Sequence, residues 1–367
     1  MKVLILSSNI GGGHNSCANA VMDYFESKGE NCTICDSIKF ISDHFSKTLE
    51  KWHTRIYRYM PKAFSKGYDY VENNPDLLQK KQVLRKILLS GNDRLYKYIT
   101  DNCFDTVICT HPFPAIMMTE IQKAHNLPVK TAFIHTDYTC YPITADSIVD
   151  FYFTADNSLQ DEFLKCNIPQ NKIISSGIPV RKEFYSKISS LLSKEIFRIN
   201  PDNKHLLIMT GSMGCGPVEK IVHAISKKDS IDISVICGTN KALERTLKSN
   251  YMNNKNVHIF GYCNQVAVLM DSADLCLIKP GGISVTEAYV KKLPMVLMNT
   301  ISGCEEYNTR FFVNKGCAVS SSNSEELIKM SLNLLSNTDR IGKMKKEFGE
   351  DEIPNASQII YDTLKNC

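Results

Sequence analysis

The 367-residue sequence predicts an α/β chain of two Rossmann-like domains with a cleft between them. Three observations carry this. Strand-like apolar runs alternate with helical or mixed segments, the alternation occurs in two successive sets, and the length suits two domains of average size better than one core. The first set is "KVLILSS", "NCTICDS", "FDTVICTH", "VKTAFIHT" and "VDFYFTAD". The second is "HLLIMTGS", "IDISVICG", "NVHIFGY", "ADLCLIKPGG", "LPMVLMNT" and "CAVSSS", with "SGIPVRKEFYSK" as the linker between the sets. The expected domains are 1–180, 181–350 and a last helix, 351–367, packing back on the first. Open parallel sheets hold ligands at the carboxyl ends of their strands, so the cleft is the expected site.

Composition excludes several classes. Apolar residues make up 43% and charged residues 22%, as in an ordinary folded enzyme, and no apolar run approaches a membrane-spanning length. Residues 2–8 read as a strand and not as an export signal, which makes a cytoplasmic location the expectation. The fourteen cysteines are scattered through strand-like runs of a chain that needs no staples, so they read as reduced thiols. Cys32 and Cys35 form a lone C-x-x-C without a second pair, and no metal is expected.

Residues 39–99 break the alternation. They hold thirteen Lys and Arg against six Asp and Glu, an excess of seven, although the whole chain is only +4. Leu49, Trp52, Ile56 and Tyr59 recur at helical spacing while Lys47, Lys51, Arg55 and Arg58 take another face. Such a basic amphipathic helix either packs on its own sheet with a solvated face or docks on anionic lipid. No nucleic-acid motif accompanies it, and no nucleic-acid partner is expected.

The opening "VLILSSNIGGGHNSCANAV" runs a strand through three glycines into a helix. Gly11, Gly13 and, further on, Asp36 match part of a dinucleotide fingerprint, but Ser16 stands where the third glycine belongs. His14 puts a titratable side chain at a helix N-terminus, which favours the neutral, proton-accepting form; a loop histidine without chemistry fits as well.

The second half is more specific. "GGGH", "HTDY" at 135–138, "SGIP" at 176–179, "GSMG" at 211–214, "KPGG…TEA" at 279–288 and the pattern G-x-E-x-x-N at 303–308 occur in one order. In that order the chain resembles the monogalactosyldiacylglycerol synthase and processive diacylglycerol glucosyltransferase family, relatives of the transferase that adds N-acetylglucosamine to lipid-linked peptidoglycan precursor. The resemblance covers most of the chain and implies the two-domain GT-B glycosyltransferase fold.

The residues themselves suit a nucleotide diphosphate. Backbone amides around Ser212, Met213 and Gly214, and around Gly281 and Gly282 on the other side, can meet phosphate without a metal. Gly13, near the start, and Ser284, in the first turn of the following helix, belong to the same donor set, and Glu287 one turn in can accept from both ribose hydroxyls. By similarity, Tyr262 covers the base and the backbone of Cys263 pairs with the uracil edge. Glu305 and Asn308 keep the family's sugar-side positions. Ser302 and Cys304 replace its proline and glutamine, and a thiol is a poor hydrogen-bonding substitute, so the choice of sugar stays open between glucose, galactose and N-acetylglucosamine.

The resemblance implies inverting transfer of a hexose from a UDP-sugar to diacylglycerol or a glycosyl-diacylglycerol, with no cofactor. His14 is the candidate base for the acceptor hydroxyl; Asp137 either orients His14 or the acceptor, or caps a turn. Lys47, Lys51, Trp52, Arg55 and Arg58 would attach the enzyme peripherally to the anionic inner face of a bacterial cell membrane. The other readings are a UDP-sugar epimerase or hydrolase, transfer to a different lipid, a dinucleotide-dependent oxidoreductase and a non-catalytic lipid-binding relative.

Overall fold

A computed structural model of the chain describes residues 1–8, 12–42, 82–214, 216–298 and 303–366. The proposed basic helix, with Lys47, Lys51, Trp52, Arg55 and Arg58, lies outside the described residues, as do Gly11 and Ser302. The described chain divides into two compact units, Met1–Lys182 with Pro354–Cys367, and Glu183–Ile353.

In the first unit six parallel strands run in the order β2-β1-β3-β4-β5-β6: β1 Lys2–Ser7, β2 Asn31–Asp36, β3 Thr106–Cys109, β4 Lys130–Ile134, β5 Phe151–Thr154 and β6 Ile173–Ser175. Helices cover both faces of such a sheet, so its central strands are continuous apolar runs; all four residues of β3 are buried. β6 went unread in the sequence because three half-buried or exposed residues carry neither an apolar run nor an alternation. The last helix, Ala356–Asn366, belongs to this unit. It buries Ala356, Ile360 and Leu364, and Ser357 Oγ donates to the carbonyl of Ala20 in the helix Gly12–Ser27, here α1.

The second unit repeats the plan as β12-β11-β10-β7-β8-β9: β7 Lys204–Met209, β8 Ile231–Ile236, β9 Val257–Phe260, β10 Leu275–Ile278, β11 Met295–Met298 and β12 Ala318–Ser321. All six residues of β8 and all four of β10 are buried, and alternate ones, Ile231, Ile233, Val235, Leu275 and Leu277, share one core with Leu206, Val218, Ile221, Val296 and Leu327. His205 of β7 sits inside this unit with both ring nitrogens engaged. Ser272 Oγ gives its hydrogen to the carbonyl of Leu269, so it accepts from Nδ1, while Ser234 Oγ lies 2.8 Å from Nε2 and donates to it.

Each sheet has one place where the chain order reverses. In the first unit it falls between β1 and β3, and in the second between β7 and β10. Loops leaving adjacent strands there diverge to opposite sides and open a crevice at the carboxyl ends.

Candidate active site

Some of the residues the sequence singled out follow the strands that flank these two crevices. In the first unit α1 begins at Gly12, so Gly13 and His14 lie in its first turn, half-buried. His14 Nδ1 is 2.6 Å from the carbonyl oxygen of Thr110, the residue after β3, and 3.2 Å from Thr136 Oγ1 beyond β4. A carbonyl can only accept, so Nδ1 carries the proton and the lone pair of the neutral ring is on Nε2. Thr110 Oγ1 donates back to the carbonyl of His14 at 3.3 Å, which ties the helix start to the sheet.

His111, also buried, stands edge-on to His14 with ring centroids 4.7 Å apart. Its Nδ1 accepts from the amide of Phe113 at 3.1 Å and caps the helix Pro112–His125, here α2, so its neutral form carries the proton on Nε2. The two histidines therefore hold opposite tautomers.

His135 opens the "HTDY" stretch with no part in this contact. Its ring lies between Phe133 and Phe163, and burial pushes its pKa down to about 3, so it is neutral. Asp137, two residues on, is half-buried. The stretch is pinned from the far side by Glu162, whose Oε2 accepts from Thr139 Oγ1 at 2.8 Å and from the amide of Cys140 at 2.9 Å.

In the second unit the turn after β7 is built on positive φ at Gly211 and Gly214, of 70° and 65°. A Cβ on Gly214 would lie 2.4 Å from the carbonyl oxygen of Cys237 and from Asn240 Cβ, so this position admits only glycine. The turn's carbonyls are held by protein donors. Thr239 donates to Ser212 from both its amide and its hydroxyl, at 2.9 Å each, and Asn240 Nδ2 donates to Gly214 at 2.8 Å. The Gly214 amide donates to the Gly211 carbonyl within the turn, which takes it out of the expected phosphate donors.

Beyond β10, Gly281 is the N-cap of the helix Gly282–Val290, here α3, with no side-chain cap. The first amides of α3 are thus helix-start donors that no capping side chain satisfies, which suits an anion. A Cβ on Gly281 would meet nothing within 4 Å. Ser284 and Glu287, one turn apart, share the half-exposed stripe of a helix whose Gly282, Ile283, Val285, Thr286 and Ala288 are buried.

After β11, Gly303 at φ 105° starts the helix Cys304–Asn314, here α4. Its first turn carries Glu305, whose carboxylate pairs with the ammonium of Lys279; their side chains are only 6% and 12% exposed. Asn308 is fully buried and donates from Nδ2 to the carbonyl of Pro280 at 3.0 Å, which fixes the start of α4 against the Lys279–Gly282 loop. Tyr262 projects from the loop after β9 with 73% of its surface exposed, next to the half-buried Cys263.

Sequence reasoning missed three residues of these sites. Thr110 and Thr136 carry no motif, and only the switch-point rule would have pointed to them. Lys279 reads as a loop charge before Pro-Gly-Gly. Two other sequence features resolve into structure: Asp36 Oδ1 accepts from the amide of Ile38 at 3.1 Å as a cap, and Cys32 and Cys35, three apart in β2, point to opposite faces and cannot share a metal.

Comparison with known proteins agrees with this division. Residues 14–180 match the family model described as monogalactosyldiacylglycerol (MGDG) synthase, and residues 218–352 match that of glycosyl transferases group 1. Similar curated proteins include a processive diacylglycerol beta-glucosyltransferase of Bacillus subtilis (strain 168), 26% identical over 99% of this chain and 94% of its own length. The protein of the same name from Bacillus cytotoxicus is 28% identical over 99% of this chain and 93% of its own. Among solved structures, Acinetobacter baumannii MurG superposes with a TM-score of 0.63 at 16% identity, covering 100% of this chain and 99% of that one. A UDP-GlcNAc 2-epimerase from Neisseria meningitidis bound to UDP-GlcNAc gives 0.62 at 16% identity, covering 100% of both. These two share the fold and differ in reaction, so the fold alone does not choose between transfer and epimerisation.

Proposed function

The chain belongs to the two-domain glycosyltransferases of the monogalactosyldiacylglycerol synthase and processive diacylglycerol glucosyltransferase family, and on that premise we propose that it makes a membrane glycolipid by inverting transfer of a hexose from a UDP-sugar to diacylglycerol or a glycosyl-diacylglycerol. The observation that carries the mechanism is the fixed tautomer of His14. With Nδ1–H held by the Thr110 carbonyl, the basic Nε2 is kept ready to take the acceptor's hydroxyl proton. The oxygen so activated attacks the anomeric carbon, the bond from that carbon to the diphosphate oxygen breaks on the opposite face, and UDP leaves with the bonding pair.

The second unit's residues suit the donor. Amides of Ser212 and Met213 and those at the start of α3 face charge that grows on the diphosphate as the bond breaks. Tyr262 supplies an exposed ring for the base, with the Cys263 backbone beside it, and Glu287 accepts from the ribose. Glu305 accepts from a sugar hydroxyl, and Asn308 holds the loop that carries Gly281 and Gly282. Asp137 adjoins Thr136 and serves the acceptor side. The reaction as written draws on no cofactor or metal.

Among the described residues no helix is long and apolar enough to cross a membrane. A water-insoluble acceptor then requires docking at the bilayer surface, and the basic residues at 47–58 suit the anionic cytoplasmic leaflet. The mechanism is tested with His14→Ala in transfer to diacylglycerol vesicles. Turnover should fall by about two to four orders of magnitude while UDP binding survives. Near-normal turnover removes His14 from the role of base.

A further inference from the structure

Lys279, beside the second unit's crevice, has no part in the mechanism so far. It follows β10 at the switch point, and its stem lies against the turn after β7: a Cβ on Gly211 would sit 3.0 Å from Lys279 Cε. Three residues later α3 begins. The ammonium thus lies beside both loops suited to phosphate, yet it pairs with Glu305, the carboxylate assigned to the sugar.

We propose that Lys279 is a donor-exchanged charge: it rests on Glu305 in the free enzyme and transfers to the second phosphate of the nucleotide when the donor binds, releasing Glu305 to the sugar hydroxyls. An ammonium and a carboxylate this deeply buried each need a counter-charge. A diphosphate offers the ammonium a stronger anion, and the sugar hydroxyls offer the carboxylate neutral donors, so both groups stay satisfied through the exchange. When the bond from the anomeric carbon to the phosphate oxygen breaks, the new negative charge forms beside Lys279. The inference rests on the nucleotide-sugar reading above and is independent of the acceptor.

The test is calorimetric binding of UDP and of UMP, which lacks the second phosphate, to the full chain. Lys279→Met should weaken UDP by roughly ten- to a hundredfold and leave UMP unchanged, and Lys279→Arg should restore most of the difference. Glu305→Gln, which removes the paired carboxylate, should hold or raise UDP affinity while turnover falls. UMP binding doubles as the check on folding. A Lys279→Met protein that binds UDP as wild type does, or that loses UMP and UDP alike, overturns the proposal. So does a Glu305→Gln protein that loses UDP as Lys279→Met does. Failure of the wild-type chain to bind either nucleotide overturns the nucleotide-sugar reading itself, whereas UDP binding without lipid glycosylation overturns only the acceptor.

Discussion

His14, in the first turn of α1, and His135, just past β4, belong to the same unit, and their surroundings give them opposite uses. His14 is half-buried and bound through Nδ1 to a carbonyl and a hydroxyl, which fixes a tautomer. His135 is packed between two phenylalanines, where the charged form has no solvation. Its pKa of about 3, and that of His205 at about 4, lie below the ordinary 6.5, both chiefly through burial. Unfolded chains bind these protons near pH 6.5 and the folded protein does not. Stability is therefore complete above pH 6.5 and falls as the pH drops from there toward 4, by up to about 1.4 kcal/mol per pH unit for each histidine. Denaturant melts across this range should show that slope, and His135→Leu should flatten it by about one proton's worth. An unchanged slope in the variant would assign the acid sensitivity elsewhere.

At the scale of elements, the glycines of the two loops proposed to hold the donor look alike in sequence and differ in structure. Gly214 is at φ 65° with backbone within 2.4 Å of a would-be Cβ, whereas Gly281 is at φ −70° facing open space. Gly214→Ala should cost several kcal/mol, on the order of a strained backbone plus a backbone clash. Gly281→Ala should leave the melting temperature within error and still weaken UDP, because its methyl would occupy the space left for a diphosphate. Retained UDP affinity in Gly281→Ala would move the phosphate away from the start of α3.

The same contrast shows what the sequence made legible. Eleven of the strands announced themselves as apolar runs, because parallel strands buried on both faces have no polar side to hide them. The three-residue β6 did not. The "KPGG" and "GSMG" loops were visible as motifs, and with them Glu305 and Asn308. The pairing of Lys279 with Glu305, and of His14 with Thr110, joins residues far apart in the chain through strand order, and strand order is not written in local periodicity.

For the molecule as a whole, two similar units match different family models: the part with His14 the lipid-synthase model, and the part with Gly281 the general transferase model. The charge excess in 39–99 belongs to the first. Replacing Lys47, Lys51, Arg55 and Arg58 together with Gln should weaken sedimentation with anionic vesicles substantially, since each basic residue near such a surface contributes about 1 kcal/mol. Unchanged sedimentation would remove the membrane role of this segment. The most direct test of the account is UDP release by the purified chain from UDP-glucose, UDP-galactose and UDP-N-acetylglucosamine, each with and without diacylglycerol in anionic vesicles. Release from one donor should depend on diacylglycerol and be matched by a new glycolipid; release that ignores the lipid, or none with any donor, would rule out lipid glycosylation by this chain.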